Sequence, residues 1–163
     1  MKKFLFFAIA VFFINVLFAQ GNKSFFFELR GNGILFSVNY DARFTKNENG
    51  FGFRAGIGIV PGSGSDNDFF TTTSFLTVPL GINYLLGRGP SYLELGAGAT
   101  YVSGSVSLFG SDNEKASGVG FVPSIGYRYA KLGKGFQGRA FISPIIGSGG
   151  GVFWGGISIG YKF

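Results

Sequence analysis

The sequence predicts an all-β fold, an eight-stranded antiparallel up-and-down transmembrane β-barrel, and three observations support this prediction. Apolar residues alternate with small or polar residues in successive segments of the length that a tilted membrane-crossing strand needs. The small or polar face of each segment carries glycine or charge, so the apolar faces have no core to enter and must face lipid. Short and long connections alternate between the segments, as in an up-and-down membrane barrel.

The first 19 residues have the pattern of a secretory signal peptide. Lys2 and Lys3 precede a run of 15 mostly apolar residues, 4–18, and Ala19 offers a small residue for cleavage. That run is shorter than the roughly 18 to 20 residues that a helical membrane anchor requires. We therefore assign residues 1–19 to a signal peptide and residues 20–163 to a single barrel domain.

The first two barrel segments are residues 25–29 and 34–44, and their apolar faces fall on opposite parities. Phe25 and Leu29 are at odd positions, whereas the apolar positions from Phe36 onward are even. The phase must break between the segments, and Asn32-Gly33 is a strong signal for a tight hairpin. A two-residue turn there pairs Leu29 with Phe36 and brings both apolar sets to one face.

Four segments follow at residues 51–60, 74–86, 91–103 and 118–130, each with one apolar face. Pro79 and Pro123 lie inside these segments, and Pro144 lies inside the next one. Proline has no backbone N–H to donate to a neighbouring strand. A closed barrel has no edge strand, where this missing N–H would cost no hydrogen bond. We expect a local bulge at each proline or a strand end close to it.

The last two segments are residues 136–147 and 152–163. In the final one, Ile157, Ile159, Tyr161 and Phe163 share the apolar face. Aromatic residues gather beside the short connections, which is typical of the interfacial girdle of a membrane barrel. The predicted girdle residues are Phe44, Phe51, Tyr84, Tyr92, Tyr129, Phe136, Tyr161 and Phe163.

The inward faces carry charges of both signs. Eight strands enclose a space that side chains can just fill, and buried opposite charges should pair there. We therefore predict a polar network that plugs the lumen, with a charge-lined ion pathway as the alternative because basic groups outnumber acids. The predicted network consists of Glu28, Arg30, Asp41, Arg43, Arg54, Glu94, Arg128 and Arg139, with Lys162 as a further inward base.

Composition argues against several functions. The chain has no cysteine and no histidine, so it cannot form a disulfide, a thiolate metal site or a Ser-His or Cys-His nucleophile. We expect no catalysis, no cofactor and no metal. The net charge of +6 includes two signal-peptide lysines and is scattered, so nucleic acid is not an expected partner. Asp66 and Asp112 lie on the two long connections, where acidic residues are usually just solvated.

The C-terminal Tyr161-Lys162-Phe163 completes a resemblance to small eight-stranded outer-membrane barrels of Gram-negative bacteria, such as the membrane domain of outer membrane protein A. This resemblance implies an outer-membrane location with both termini periplasmic, contact with outer-membrane lipid, and a monomer. It also implies that Tyr161 and Phe163 form the signal read by the barrel-assembly machinery. Ser158 stands where many members of this group have glycine.

The expected role is therefore structural or surface-interactive, presented through the loops around Asp66 and Asp112. The alternative is a narrow pore, or a transporter that carries small molecules across the outer membrane. In one version of this alternative, the transported molecules are hydrophobic. A soluble exported barrel of lipocalin type is a third class, but it would turn its apolar face inward around a ligand. Charged residues opposite the apolar faces argue against that third class.

Overall fold

The computed structural model describes residues 22–61, 70–108, 114–147 and 150–163. The predicted signal peptide, Asp66 and Asp112 lie outside these residues. Within them, no helix is long and apolar enough to cross a membrane. The strands are β1 (Lys23–Leu29), β2 (Phe36–Arg43), β3 (Gly50–Pro61), β4 (Phe70–Arg88), β5 (Ser91–Leu108), β6 (Glu114–Ala130), β7 (Gly135–Ile142), β8 (Ile145–Gly147), β9 (Gly150–Val152) and β10 (Gly155–Lys162).

These strands form one closed antiparallel barrel. Consecutive strands from β1 to β7 pair with each other, β7 also pairs with β10, and β10 pairs with β1, with Ile157 opposite Leu29. The short strand β8 continues the line of β7 and forms a hairpin with β9, which leads into β10. The ten segments thus make eight barrel strands, and the predicted fold class is confirmed.

The two faces of the barrel are inverted relative to a soluble protein. Outward residues such as Phe27 and Ile57 are 68% and 61% exposed, whereas the inward Arg128 and Glu94 are 0% and 2% exposed. Side chains alternate across a strand with a period of two. In a strand with one apolar and one charged face, the apolar face therefore points outward as a whole and the charged face points into the lumen. Because its exterior is apolar and its interior polar, the barrel matches a lipid environment.

Seven of the eight aromatic residues predicted for the girdle lie on the outer surface, and Tyr92 does not. Tyr92 shares the parity of Glu94 on β5, so its ring enters the lumen, where it is buried with Leu85 and Ala130. These three residues form a small apolar layer at the end of the barrel that carries the short turns. We call this the short-turn end and the other the long-loop end.

The β1–β2 hairpin has the predicted register, with Leu29 opposite Phe36. Gly31 and Ile34 close a two-residue turn through reciprocal backbone hydrogen bonds of 3.2 and 2.9 Å. The positive φ angles fall on Arg30 (52°) and Ile34 (75°), on either side of Asn32-Gly33. The tip of the hairpin consequently bends into the lumen, where Asn32 is only 6% exposed.

The three prolines are accommodated by gaps in the ladder, so the expected bulges are not found at them. Pro79 keeps its place opposite Thr100 on β5, and pairing with β3 is interrupted around it without a change of register. Pro123 and Pro144 fall opposite each other, between the Ile125–Ile142 and Phe121–Ile146 pairs. The two missing donors therefore share one gap. The other expectation, a strand end close to the proline, is confirmed at Pro144, since β7 ends at Ile142.

Candidate functional site in the barrel lumen

Glu94, near the start of β5, projects into the lumen and is the shared partner of three arginines. Its carboxylate accepts hydrogen bonds from Arg54 Nη2 at 2.7 Å, from Arg128 Nε at 2.6 Å, and from Arg139 Nε and Nη2 at 2.9 and 2.8 Å. These arginines come from β3, β6 and β7, so one carboxylate connects four strands across the barrel. Charge-assisted hydrogen bonds of this length are among the strong ones.

A second carboxylate, Asp41 on β2, is held in the same way nearer the short-turn end. Arg128 Nη1 and Nη2 both donate to it at 3.1 Å, and Arg43 Nη2 donates at 2.8 Å. Asn83 on β4 donates to Asp41 at 2.6 Å and accepts a hydrogen bond from Arg43. Arg128 therefore links the Asp41 and Glu94 clusters into one network.

Glu28 on β1 extends this network toward the long-loop end. It accepts a hydrogen bond from Arg139 Nη1 at 3.0 Å, and its Oε2 lies 3.5 Å from Arg54 Nη1. Its other oxygen accepts from the backbone N–H of Asn32 at 2.7 Å. The ring of Phe26 lies 5.2 and 5.4 Å from the Arg54 and Arg139 guanidinium carbons. Glu28 thus joins the ionic network to the tip of the first hairpin.

Residues 30–35, which we call the β1–β2 plug, lie at the long-loop end, with Gly31, Asn32 and Gly33 buried in the lumen. Thr100 donates to the carbonyl of Asn32 at 2.5 Å, and Thr77 donates to that of Gly33 at 2.9 Å. Trp154 donates from Nε1 to the carbonyl of Ile34 at 3.1 Å. Together with Glu28 of β1, residues from β4, β5 and the β9–β10 connection therefore bind the backbone of the plug.

The short-turn end is closed by an ion pair. Glu48, from the β2–β3 turn, reaches Lys162 of β10 at 2.7 Å. Arg43 also donates to the carbonyl of Gly50 at 3.2 Å. The apolar layer of Leu85, Tyr92 and Ala130 lies at the same end. The described lumen is thus occupied at both ends and in the middle.

Seven of the eight residues predicted for the lumen network meet there. The exception is Arg30, whose position corrects the prediction: its φ of 52° turns the chain, and its exposed guanidinium stacks 4.7 Å over the Trp154 ring. Glu48 pairs with Lys162 at the short-turn end, and the sequence offers no signal for this because Glu48 lies in a turn without strand parity. Phe163 lies on the outer surface, stacked 5.7 Å from Phe25, and its backbone N–H donates to the carbonyl of Lys23.

The described residues hold no group of three or more histidine, cysteine, aspartate or glutamate side chains arranged to bind a metal ion. The carboxylates of the lumen face arginines and amides, which occupy the oxygens that a cation would need. The arrangement is therefore chemically suited to holding strands together through fixed charges.

The closed barrel, apolar outside and ionic inside, has the fold of small eight-stranded outer-membrane proteins. Structures with this fold include the N-terminal β-barrel domain of Pseudomonas aeruginosa OprF (TM-score 0.60, 12% identity, covering 87% of this chain and 96% of that one). Ail, the attachment invasion locus protein of Yersinia pestis, is similar at TM-score 0.57 and 15% identity, with coverages of 87% and 96%. Neisserial surface protein A gives TM-score 0.53 and 17% identity, with coverages of 86% and 92%.

No protein-family model matches the sequence, and no curated protein matches it. At these identities, the likeness concerns the fold.

Proposed function

We propose that this protein is an integral outer-membrane barrel of a Gram-negative bacterium whose lumen does not conduct and whose role is structural or surface-interactive, without catalysis. The observation that carries the proposal is the continuous network from Asp41 through Arg128, Glu94, Arg139 and Glu28 to the β1–β2 plug, with the separate Lys162–Glu48 pair at the short-turn end. Fold alone does not specify function, whereas this network determines whether the lumen is open to solutes.

The network favours a stable plug over an aqueous pathway for an energetic reason. A buried charge that loses its partner is costly, by several kcal/mol, so an ion passing through would have to separate pairs that are each stabilised by their neighbours. Arg128 is 0% exposed and donates from all three of its guanidinium nitrogens. A side chain bound in this way is not free to move aside for a solute.

A surface-interactive role agrees with the proteins of similar fold. Ail is named as an attachment invasion locus protein and another of the similar structures as a surface protein. For this chain, we propose that the long connections containing Asp66 and Asp112 present the interacting surface, while the barrel anchors them in lipid as a monomer. The barrel-assembly machinery is proposed to read Tyr161 and Phe163 during insertion.

Electrical measurement tests the sealed lumen. We expect the refolded protein to insert into planar lipid bilayers without producing stable single-channel steps, because the network and the plug block both ends. Reproducible steps, with an anion selectivity that falls in Arg54→Ala, would contradict the proposal and support the narrow pore. Insertion is verified independently by protease protection, so that an absence of current steps is not confused with a failure to insert.

Chemical labelling tests the proposed orientation, in which the short turns and both termini are periplasmic. Because the chain has no natural cysteine, single cysteines at Arg88, Lys134 and Gly147 each report one end. We expect an impermeant maleimide on intact cells to label Gly147→Cys at the long-loop end and to leave Arg88→Cys and Lys134→Cys unlabelled. Permeabilised cells provide the control, in which all three should react. Labelling of the short-turn cysteines on intact cells would reverse the orientation.

A further inference from the structure

The central ionic network contains more positive than negative charge among the described residues. Four arginines face three carboxylates there, and the Lys162–Glu48 pair at the short-turn end is balanced by itself. The members of the central network are Arg43, Arg54, Arg128 and Arg139 with Glu28, Asp41 and Glu94. A buried charge without a counter-charge is unfavourable, so the location of the surplus matters.

Among these four arginines, Arg54 has the fewest hydrogen-bond partners in the described part of the chain. Its Nη2 binds Glu94, but its Nε and Nη1 have no hydrogen-bond partner within the described part of the chain. The 3.5 Å separation between Nη1 and Glu28 Oε2 is long for a hydrogen bond. Arg128 and Arg139, by contrast, each donate from all three nitrogens. Arg54 itself is only 4% exposed.

A small cavity lies beside Arg54, with a volume of about 10 Å³. Asn32 of the plug, Asn83 and Ser124 also line it, and the Oδ1 of Asn32 has no partner among the described residues. Gly96 keeps this space open, because a Cβ at that position would overlap the Ser124 hydroxyl. The space suits a single small group, since a cavity of roughly 10 to 15 Å³ is enough for one water molecule.

We propose that this cavity binds one monatomic anion, a halide such as chloride, as the counter-ion of Arg54. A water molecule would fill the space but would leave the surplus charge uncompensated, whereas a halide accepts hydrogen bonds from Nε and Nη1 and balances it. Rotation of the Asn32 amide brings N–H donors into place, and the Ser124 hydroxyl is a further donor. The anion is a structural ligand that ties β3 to the plug.

Bromide identifies such a site directly, because it replaces chloride and scatters anomalously. The protein is refolded in sodium bromide, since the lumen is closed once folded, and crystals are measured at the bromine absorption edge. We expect one anomalous peak of near-full occupancy within hydrogen-bond distance of Arg54. A water molecule at this position with no anomalous signal, or bromide on exposed residues only, overturns the proposal.

Two variants separate the site from general effects of salt. Arg54→Gln removes the charge, and Gly96→Ala fills the cavity while leaving the charge in place, so each should lose the bromide peak. Gly147→Ala, where an added Cβ meets no atom within 4 Å, should retain it. If Arg54→Gln does not fold, Gly96→Ala still decides the question, and retention of the peak in Gly96→Ala contradicts the assigned cavity.

Thermal unfolding gives a second readout in detergent. Refolding in gluconate at equal ionic strength, instead of chloride, should lower the Tm of the natural sequence by about 2 to 4 °C and leave Gly96→Ala unchanged. An equal shift in both proteins would overturn the proposal. Conductance tests the sealed lumen and bromide occupancy tests this site, so the two proposals can fail independently.

Discussion

Replacement of Glu94 by alanine is expected to lower the free energy of unfolding by about 3 to 5 kcal/mol, the cost of leaving buried charge unpaired. Glu94 is the shared partner of Arg54, Arg128 and Arg139, and its side chain is 2% exposed. Without it, only Asp41 and Glu28 remain to compensate the arginines of the central network. The loss should therefore exceed that of any single ion pair in the barrel.

Urea unfolding in detergent micelles measures this loss, with Trp154, the only tryptophan, as the fluorescent probe and the heat-modifiable gel shift as a second probe. Glu48→Ala is the matched control, because it removes a carboxylate whose one ion-pair partner among the described residues is Lys162, and its effect should be smaller. Adding Arg54→Gln to Glu94→Gln reduces the charge imbalance and should recover part of the stability. A Glu94→Ala barrel as stable as the parent would mean that water solvates the lumen at this level, which favours the pore.

Replacement of Gly156 by alanine is expected to displace the β1–β2 plug. A Cβ at this position on β10 would overlap the carbonyl oxygen of Arg30, a backbone atom that cannot move without the hairpin. Overpacking of this kind typically costs about 1 to 3 kcal/mol. Displacement would also break the bond between Trp154 and Ile34, which is 3.1 Å long in the parent.

Quenching of Trp154 fluorescence by acrylamide reports the position of the plug, and we expect stronger quenching in Gly156→Ala than in the parent. Gly118→Ala is the control on β6, because an added Cβ there meets no atom within 4 Å. Planar-bilayer recording should show whether the network alone keeps the displaced barrel closed. Unchanged quenching and unchanged stability would show that the plug does not pack against Gly156 as described.

Much of the barrel follows from alternation and parity. The opposite parities of Phe25 and Phe36 required a phase break, and Asn32-Gly33 supplied it with the register that the structure has. The same parity placed Glu94, Arg54 and Arg128 inside. It also places Tyr92 in the lumen, so the prediction of Tyr92 as a girdle residue, made from its position beside a short turn, is wrong. Where parity and proximity to a turn conflict, parity prevails, since it follows from the geometry of the strand itself.

Turn residues were the least predictable, because they have no strand parity. Arg30 continues the inward parity of Glu28, yet the change of φ at the hairpin directs its guanidinium over Trp154. Glu48 lies in a short polar turn and still becomes the partner of Lys162. The prolines likewise depended on a neighbour, since the gap at Pro123 is tolerated because Pro144 lies opposite it.

The sequence by itself determined which side chains face lipid and which face the lumen, because a period of two is a local property of every strand. Only the tertiary structure decided which guanidinium meets which carboxylate. The partners of Arg128 and Arg139 lie 34 to 111 residues away along the chain. They meet because barrel closure and stagger set the position of each strand along the barrel axis. That position depends on all eight strands together, so no single segment encodes it.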